Sequence, residues 1–163
     1  MTGNRDCKML SITILYLLLV IALPLGLSLA MGYRGLPHGR ACPLCGGETL
    51  RLQDTVVRLQ GVAAPPRGLS CHAGDGSVND CGAAAAAALA TLVRGRQVAC
   101  RLHGRDTAGL AQGVCEAAGT ELNRAVVLAG WARALDASGM NRAEAEARGA
   151  RRGLWRDGSM PAF

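Results

Sequence analysis

Apolar and polar positions divide the chain into one long uncharged stretch followed by short alternating segments. Met9 to Met31 carries no charged side chain and follows a polar start holding Arg5 and Lys8. A run of this size matches the roughly 20 residues that span a bilayer, which predicts an N-terminal hydrophobic helix. Pro24 and Gly26 interrupt it, and Ser28-Leu29-Ala30 offers the small residues that a signal peptidase accepts. The run exceeds an h-region of about 7–15 residues, which favours an uncleaved anchor over a cleaved signal peptide. Positive charge before the segment keeps that end in the cytoplasm. The remainder is therefore expected outside the cytoplasm, tethered to the inner membrane, or secreted if cut near Ala30. No cysteine follows Ala30 closely, so a lipoprotein anchor is not indicated.

Beyond a Gly-, Pro- and Arg-rich linker from Gly32 to Arg40, Thr49 to Val62 reads as two strands. Leu50 and Leu52 alternate with polar residues, Gln53-Asp54 makes a turn, and Val56-Val57-Arg58-Leu59 follows. Ala64-Pro65-Pro66 stops the strand, and Arg67 to Asp80 reads as a loop. Gly82 to Leu92 is an alanine-rich helix with Leu89, Leu92 and Val93 at its apolar end and Gly95 beyond it. Gln97 to His103 and Leu110 to Cys115 read as a hairpin around the Gly104–Gly109 turn. Leu122, Ala125, Val126 and Ala129 keep helical spacing, and Trp131 to Leu135 is strand-like. Asn141 with Glu144 resembles a capping box for a final helix, whose early Glu144 and Glu146 and late Arg148, Arg151 and Arg152 suit a helix dipole. A small barrel of short strands with about three interleaved helices fits this order, and other α+β folds stay open.

Composition sharpens two points. Aromatic residues make up only 3% of the chain, so the core must be aliphatic. The net charge is +6, and setting aside Arg5, Lys8 and Asp6 leaves 16 basic against 11 acidic residues, or +5. Such a balance attracts polyanions, although solubility alone would also account for it. Seven cysteines are present, and Cys7 precedes the apolar run. The other six (Cys42, Cys45, Cys71, Cys81, Cys100 and Cys115) are an even set, which in an oxidising compartment reads as disulfides. Short-range pairing would join Cys42 to Cys45, Cys71 to Cys81 and Cys100 to Cys115, and sequence leaves other connectivities open. A redox-active Cys42-Pro-Leu-Cys45 would open a helix, whereas Gly46-Gly47 and a strand follow it. A zinc site would join Cys42 and Cys45 to a second ligand pair from Cys71-His72 and Cys81, with irregular spacing.

The order of segments resembles the staphylococcal nuclease (thermonuclease) family from about Gly46 onward. The residues that carry the resemblance are Val57-Arg58-Leu59-Gln60-Gly61-Val62-Ala63-Ala64-Pro65, Cys81-Gly82 before the alanine-rich helix and Gly95-Arg96-Gln97-Val98-Ala99-Cys100. Asp106-Thr107-Ala108-Gly109-Leu110, Glu121-Leu122-Asn123, Ala129-Gly130-Trp131-Ala132 and Gly153-Leu154-Trp155 follow in the family's order. The resemblance implies a five-stranded OB-fold barrel. The domain map is then 1–31 anchor or signal peptide, 32–45 linker with the CxxC pair, and 46–163 nuclease-like domain.

Active members hydrolyse DNA or RNA with bound calcium. By resemblance, the ligand turn falls at Gly46-Gly47-Glu48-Thr49, where Glu48 could still offer a metal ligand. The second ligand carboxylate falls at Ala63 and the water-handling glutamate at Pro66. Arg58 keeps one phosphate-binding arginine and Leu110 replaces the other. Calcium takes six to eight oxygens, and removal of a water base or a charge-stabilising donor each costs about a hundredfold or more. An inactive site without cofactor follows; calcium is expected only if an unusual active nuclease survives. Arg67, Asp75, Asp80, Arg105 and Asp106 are near enough in the chain to substitute, with His72 and His103 as less apt bases. The expected role is binding of a polyanion (nucleic acid or acidic polysaccharide) or of an envelope protein. By resemblance to relatives associated with exopolysaccharide (succinoglycan) biosynthesis, a structural envelope role is the alternative.

Overall fold

The computed structural model describes residues 38–43, 46–157 and 162–163. The expected N-terminal helix, the cleavage position at Ala30 and the Cys42–Cys45 pairing lie outside the described residues. Among the described residues, no helix is long and apolar enough to cross a membrane.

Ten strands and three α-helices alternate along the described chain. They run β1 (His38–Pro43), β2 (Thr49–Leu52), β3 (Thr55–Leu59), β4 (Val62–Ala63), β5 (Ser70–His72), β6 (Val78–Asp80) and α1 (Cys81–Val93). There follow β7 (Gln97–Arg105), β8 (Ala111–Ala117), β9 (Thr120–Glu121), α2 (Leu122–Leu128), β10 (Arg133–Ala134) and α3 (Asn141–Gly149), with a 3₁₀ turn at Gly153–Trp155. The main sheet has the order β3-β2-β1-β7-β8-β9, and β3 also pairs with β8 in parallel. That second pairing closes β3, β2, β1, β7 and β8 into a ring, as the OB-like expectation requires.

Alternation explains the ring's inner face. Leu50 and Leu52 on β2, Val57 and Leu59 on β3, Val98 and Cys100 on β7, and Cys115 and Ala117 on β8 are all buried. Leu89 and Val93 of α1 and Leu122, Val126 and Val127 of α2 complete the same core. Each fully buried Leu or Val contributes roughly 1.5–3 kcal/mol, so an aliphatic core suffices without large rings. The β2–β3 connection is the two-residue Gln53-Asp54 turn, in which Gln53 takes a left-handed φ of 52°.

Small residues let α1 approach the barrel closely. A Cβ on Gly82 would collide with the Pro66 carbonyl, and one on Gly47 would meet the Ala85 side chain at 2.8 Å. The turn carrying Glu48 is thus pressed against α1. Asp80 caps the helix by accepting the Ala83 N–H at 2.8 Å. Asn123, only 1% exposed, ties α2 to the ring. Its Oδ1 accepts the Cys115 N–H at 3.0 Å, while its Nδ2 donates to the Gln60 and Gly113 carbonyls at 2.9 and 3.0 Å.

Cys71 is bonded to Cys81 (Cα–Cα 5.8 Å) and Cys100 to Cys115 (Cα–Cα 4.1 Å). These are the short-range pairs expected from the sequence. The first leaves no free thiolate at Cys71 or Cys81 for a zinc site.

Three readings are corrected. His38–Pro43, placed within the 32–45 linker, forms β1 and pairs with both β2 and β7. Its glycine, arginine and proline hide any apolar alternation. The Arg67–Asp80 loop contains the β5–β6 hairpin, whose residues are mostly exposed and so lack a burial pattern. Asn141 is the first helical residue of α3 rather than its cap, and no side chain caps that end. Glu144 instead accepts the Ala134 N–H at 2.7 Å and pairs with Arg148 at 2.9 Å.

Candidate functional site

The family-like residues meet where β3 leaves the ring. Register places Arg58 opposite Thr49 on β2 and beside Gln112 on β8. Glu48, the residue before β2, is fixed three ways. Its carbonyl accepts the Leu59 N–H at 2.8 Å, Oε2 accepts the Ala64 N–H at 2.6 Å, and Oε1 lies 2.7 Å from Arg58 Nη2.

Asp106 approaches from the other side, at the turn between β7 and β8. Its Oδ1 accepts the N–H groups of Ala108 and Leu110 at 2.9 and 2.8 Å, and Oδ2 accepts Arg58 Nη1 at 3.2 Å. The guanidinium is therefore clasped between two carboxylates. Their side chains are 13% (Glu48) and 5% (Asp106) exposed, against 38% for Arg58. Arg58 Nε is buried without a partner among the described residues. The three groups sum to a charge of −1, so the locus does not favour a phosphate approaching from solvent.

A cleft of about 440 Å³ opens beside this cluster, bounded by Gly46, Ala63, Pro66, Leu135 and Phe163 among others. Its rim is apolar: Leu135 is 48% and Phe163 41% exposed. Neither is marked by the sequence as a site residue. Leu135 was read only as the end of a strand, and nothing local ties Phe163, at the far end of the chain, to β3.

The other proposed substitutes do not converge here. Asp75 accepts the Ser77 N–H, Asp80 holds the start of α1 and the Gly68 N–H, and Arg105 donates to the Gly109 carbonyl. Hydrogen bonds, chiefly from the Ser77 and Ala83 backbones respectively, hold Asp75 and Asp80 below the ordinary carboxylate value of 3.8. Neither they nor Arg67, His72 or His103 line the cleft. Asp106 alone of that set reaches Arg58, as a clamp.

The residues present do not fit a calcium ion. Both oxygens of Glu48 and both of Asp106 are already engaged, and Ala63 and Pro66 bring no carboxylate. No group of three or more His, Cys, Asp or Glu gathers for a metal among the described residues. Calcium needs six to eight oxygens.

The family model described as staphylococcal nuclease homologue matches residues 56–157, which takes in Arg58 and Asp106 and begins after Glu48. A search of curated proteins finds no match.

Proposed function

We propose that this chain, which belongs to the staphylococcal nuclease homologue family, is a binding domain that does not cleave phosphodiesters. The observation that carries the reading is the double clasp on Arg58. An arginine that stabilises a phosphoryl transition state must bring positive charge that its neighbours have not already neutralised. Here Nη1 and Nη2 face Asp106 and Glu48. Leu110 and Pro66 supply no second cation and no water base, and the ion that would generate a nucleophile has no ligand set.

Binding then falls to the outer surface. Arg51, Arg67, Arg94, Arg96, Arg101 and Arg105 are exposed and stand outside the cleft. They supply a salt-sensitive attraction for nucleic acid or an acidic polysaccharide. Two disulfides and the apolar Met9–Met31 run support a place outside the cytoplasm, tethered to or released from the membrane.

The test is a cleavage assay on the chain with single-stranded DNA and RNA in calcium, in magnesium and in chelator. No cleavage is expected in any of them. Calcium-dependent cleavage that disappears in Arg58→Ala would overturn the reading. A salt titration of binding to single-stranded DNA and to a polyuronate accompanies it. Affinity should fall steeply with salt and weaken in Arg101→Ala/Arg105→Ala. Absence of binding to both polymers refutes the polyanion role and leaves an envelope protein as the partner.

A further inference from the structure

A cavity of about 510 Å³ lies away from Arg58. It is lined by residues of the β5–β6 hairpin, by the bonded Cys71 and Cys81, and by Trp131, Gly153 and Leu154. Elements distant in sequence thus build one concavity, and the disulfide holds the hairpin against α1. The volume falls within the roughly 300–1,000 Å³ of small-molecule sites.

We propose that this cavity binds a neutral saccharide unit. Its lining unites one large ring, Trp131, with five polar side chains: His72, Asn79, Asp80, Arg156 and Asp157. Trp131 is half-buried, packed against the core. The negative face of an indole attracts the weakly positive C–H groups on the flat side of a pyranose. A carboxylate, an amide, an imidazole and a guanidinium can then donate to and accept from neighbouring hydroxyls, and bonds with a charged partner are the stronger ones.

The charge balance selects among ligands with a ring. Among the lining residues, Asp80 and Asp157 set two carboxylates against the guanidinium of Arg156, with Arg67 outside the lining but within electrostatic reach of Asp80. Asp80 is already occupied with the N–H groups of Ala83 and Gly68, and its charge remains. A nucleotide or a uronic acid would bring negative charge beside these two carboxylates, whereas a neutral sugar brings none. The site is independent of the proposal for the Arg58 cleft and stands or falls separately.

The experiment is saturation-transfer NMR on the full, oxidised chain in a phosphocholine detergent that contains no sugar. The probes are glucose, galactose and their β-linked trisaccharides, set against thymidine monophosphate and galacturonic acid. Transfer to at least one neutral sugar is expected, with little to the two anions. Trp131→Ala should reduce it about five- to tenfold, the range of an aromatic contact, and Trp131→Phe should keep most of it. The exposed changes Asn79→Ala and Asp157→Asn should each reduce it as well, and these decide the matter if Trp131→Ala does not fold. No transfer to any neutral sugar, transfer indifferent to these substitutions, or stronger transfer to the nucleotide would overturn the proposal.

Discussion

Arg58 and Asp106 meet at 3.2 Å although 48 residues separate them in the chain. The contact spans the joint at which β3 lies parallel to β8, and it links that joint to the turn beyond β7. The same carboxylate holds the Leu110 N–H. The aspartate thus arranges its own turn and neutralises the arginine together.

The first prediction concerns the sign of a stability change. A ligand-binding arginine held in reserve can often be removed at no cost, or even with a gain in stability. Arg58→Ala in this chain leaves two mostly buried carboxylates facing each other, so it should destabilise by about 1–2 kcal/mol, discounted for the partial exposure of Arg58. Urea denaturation measures it. An unchanged or raised midpoint would mean that the clasp contributes nothing.

Asn123 should be among the least replaceable polar residues. Asn123→Ala strands the Cys115 N–H and the Gln60 carbonyl in or near the core, while the Gly113 carbonyl keeps the Gln60 N–H. A loss of about 2–4 kcal/mol follows. Asn123→Asp retains an acceptor for Cys115 and removes both donors, so it should also destabilise. Thermal unfolding followed by circular dichroism reads both variants.

Two glycines with similar backbones should respond differently. Gly95 has φ +70° and open space around its missing Cβ, whereas Gly130 has φ +78° and backs onto the Arg152 carbonyl. Gly95→Ala should cost about 1 kcal/mol from its left-handed conformation alone. Gly130→Ala should cost clearly more, because the Gly153–Trp155 turn must move away. Equal losses in denaturant would refute the steric part of the argument.

Asp80 supplies a pH dependence. Its folded-state pKa lies below 3.8, chiefly through the Ala83 N–H. A depressed carboxylate contributes stability that is fully present above its unfolded pKa. That contribution is lost as pH falls from about 4 through the lower folded value. Melting temperatures from pH 6 down to pH 2 should therefore fall less steeply in Asp80→Asn than in the parent chain, with the parent the more stable at pH 6. Parallel curves would show that the cap carries no linked proton.

Elements with a half-buried face were legible in the sequence. Leu50 and Leu52, Val57 and Leu59, and the alanine run announced β2, β3 and α1 because one side of each is covered. β1 and the β5–β6 hairpin were not legible, since His38–Pro43 and Ser70–His72 carry no apolar period and depend on partners elsewhere. At the cleft, subtraction of charges at Ala63, Pro66 and Leu110 could be read directly. The engagement of Arg58 by Glu48 and Asp106 could not, because it follows from closing the ring. Asp106 was marked only as a neighbour along the chain, and Leu135 and Phe163 reach the rim by tertiary packing alone.

The parallel joint of Val57–Leu59 on Ala111–Gly113 has a mechanical implication. Neither sulfur bridge among the described residues crosses it: one fastens β7 to β8 and the other a hairpin to a helix. Oxidation therefore stiffens staves of the cask while leaving its final seam to hydrogen bonds and the Arg58 clasp. Local opening there can proceed with both of these bonds intact.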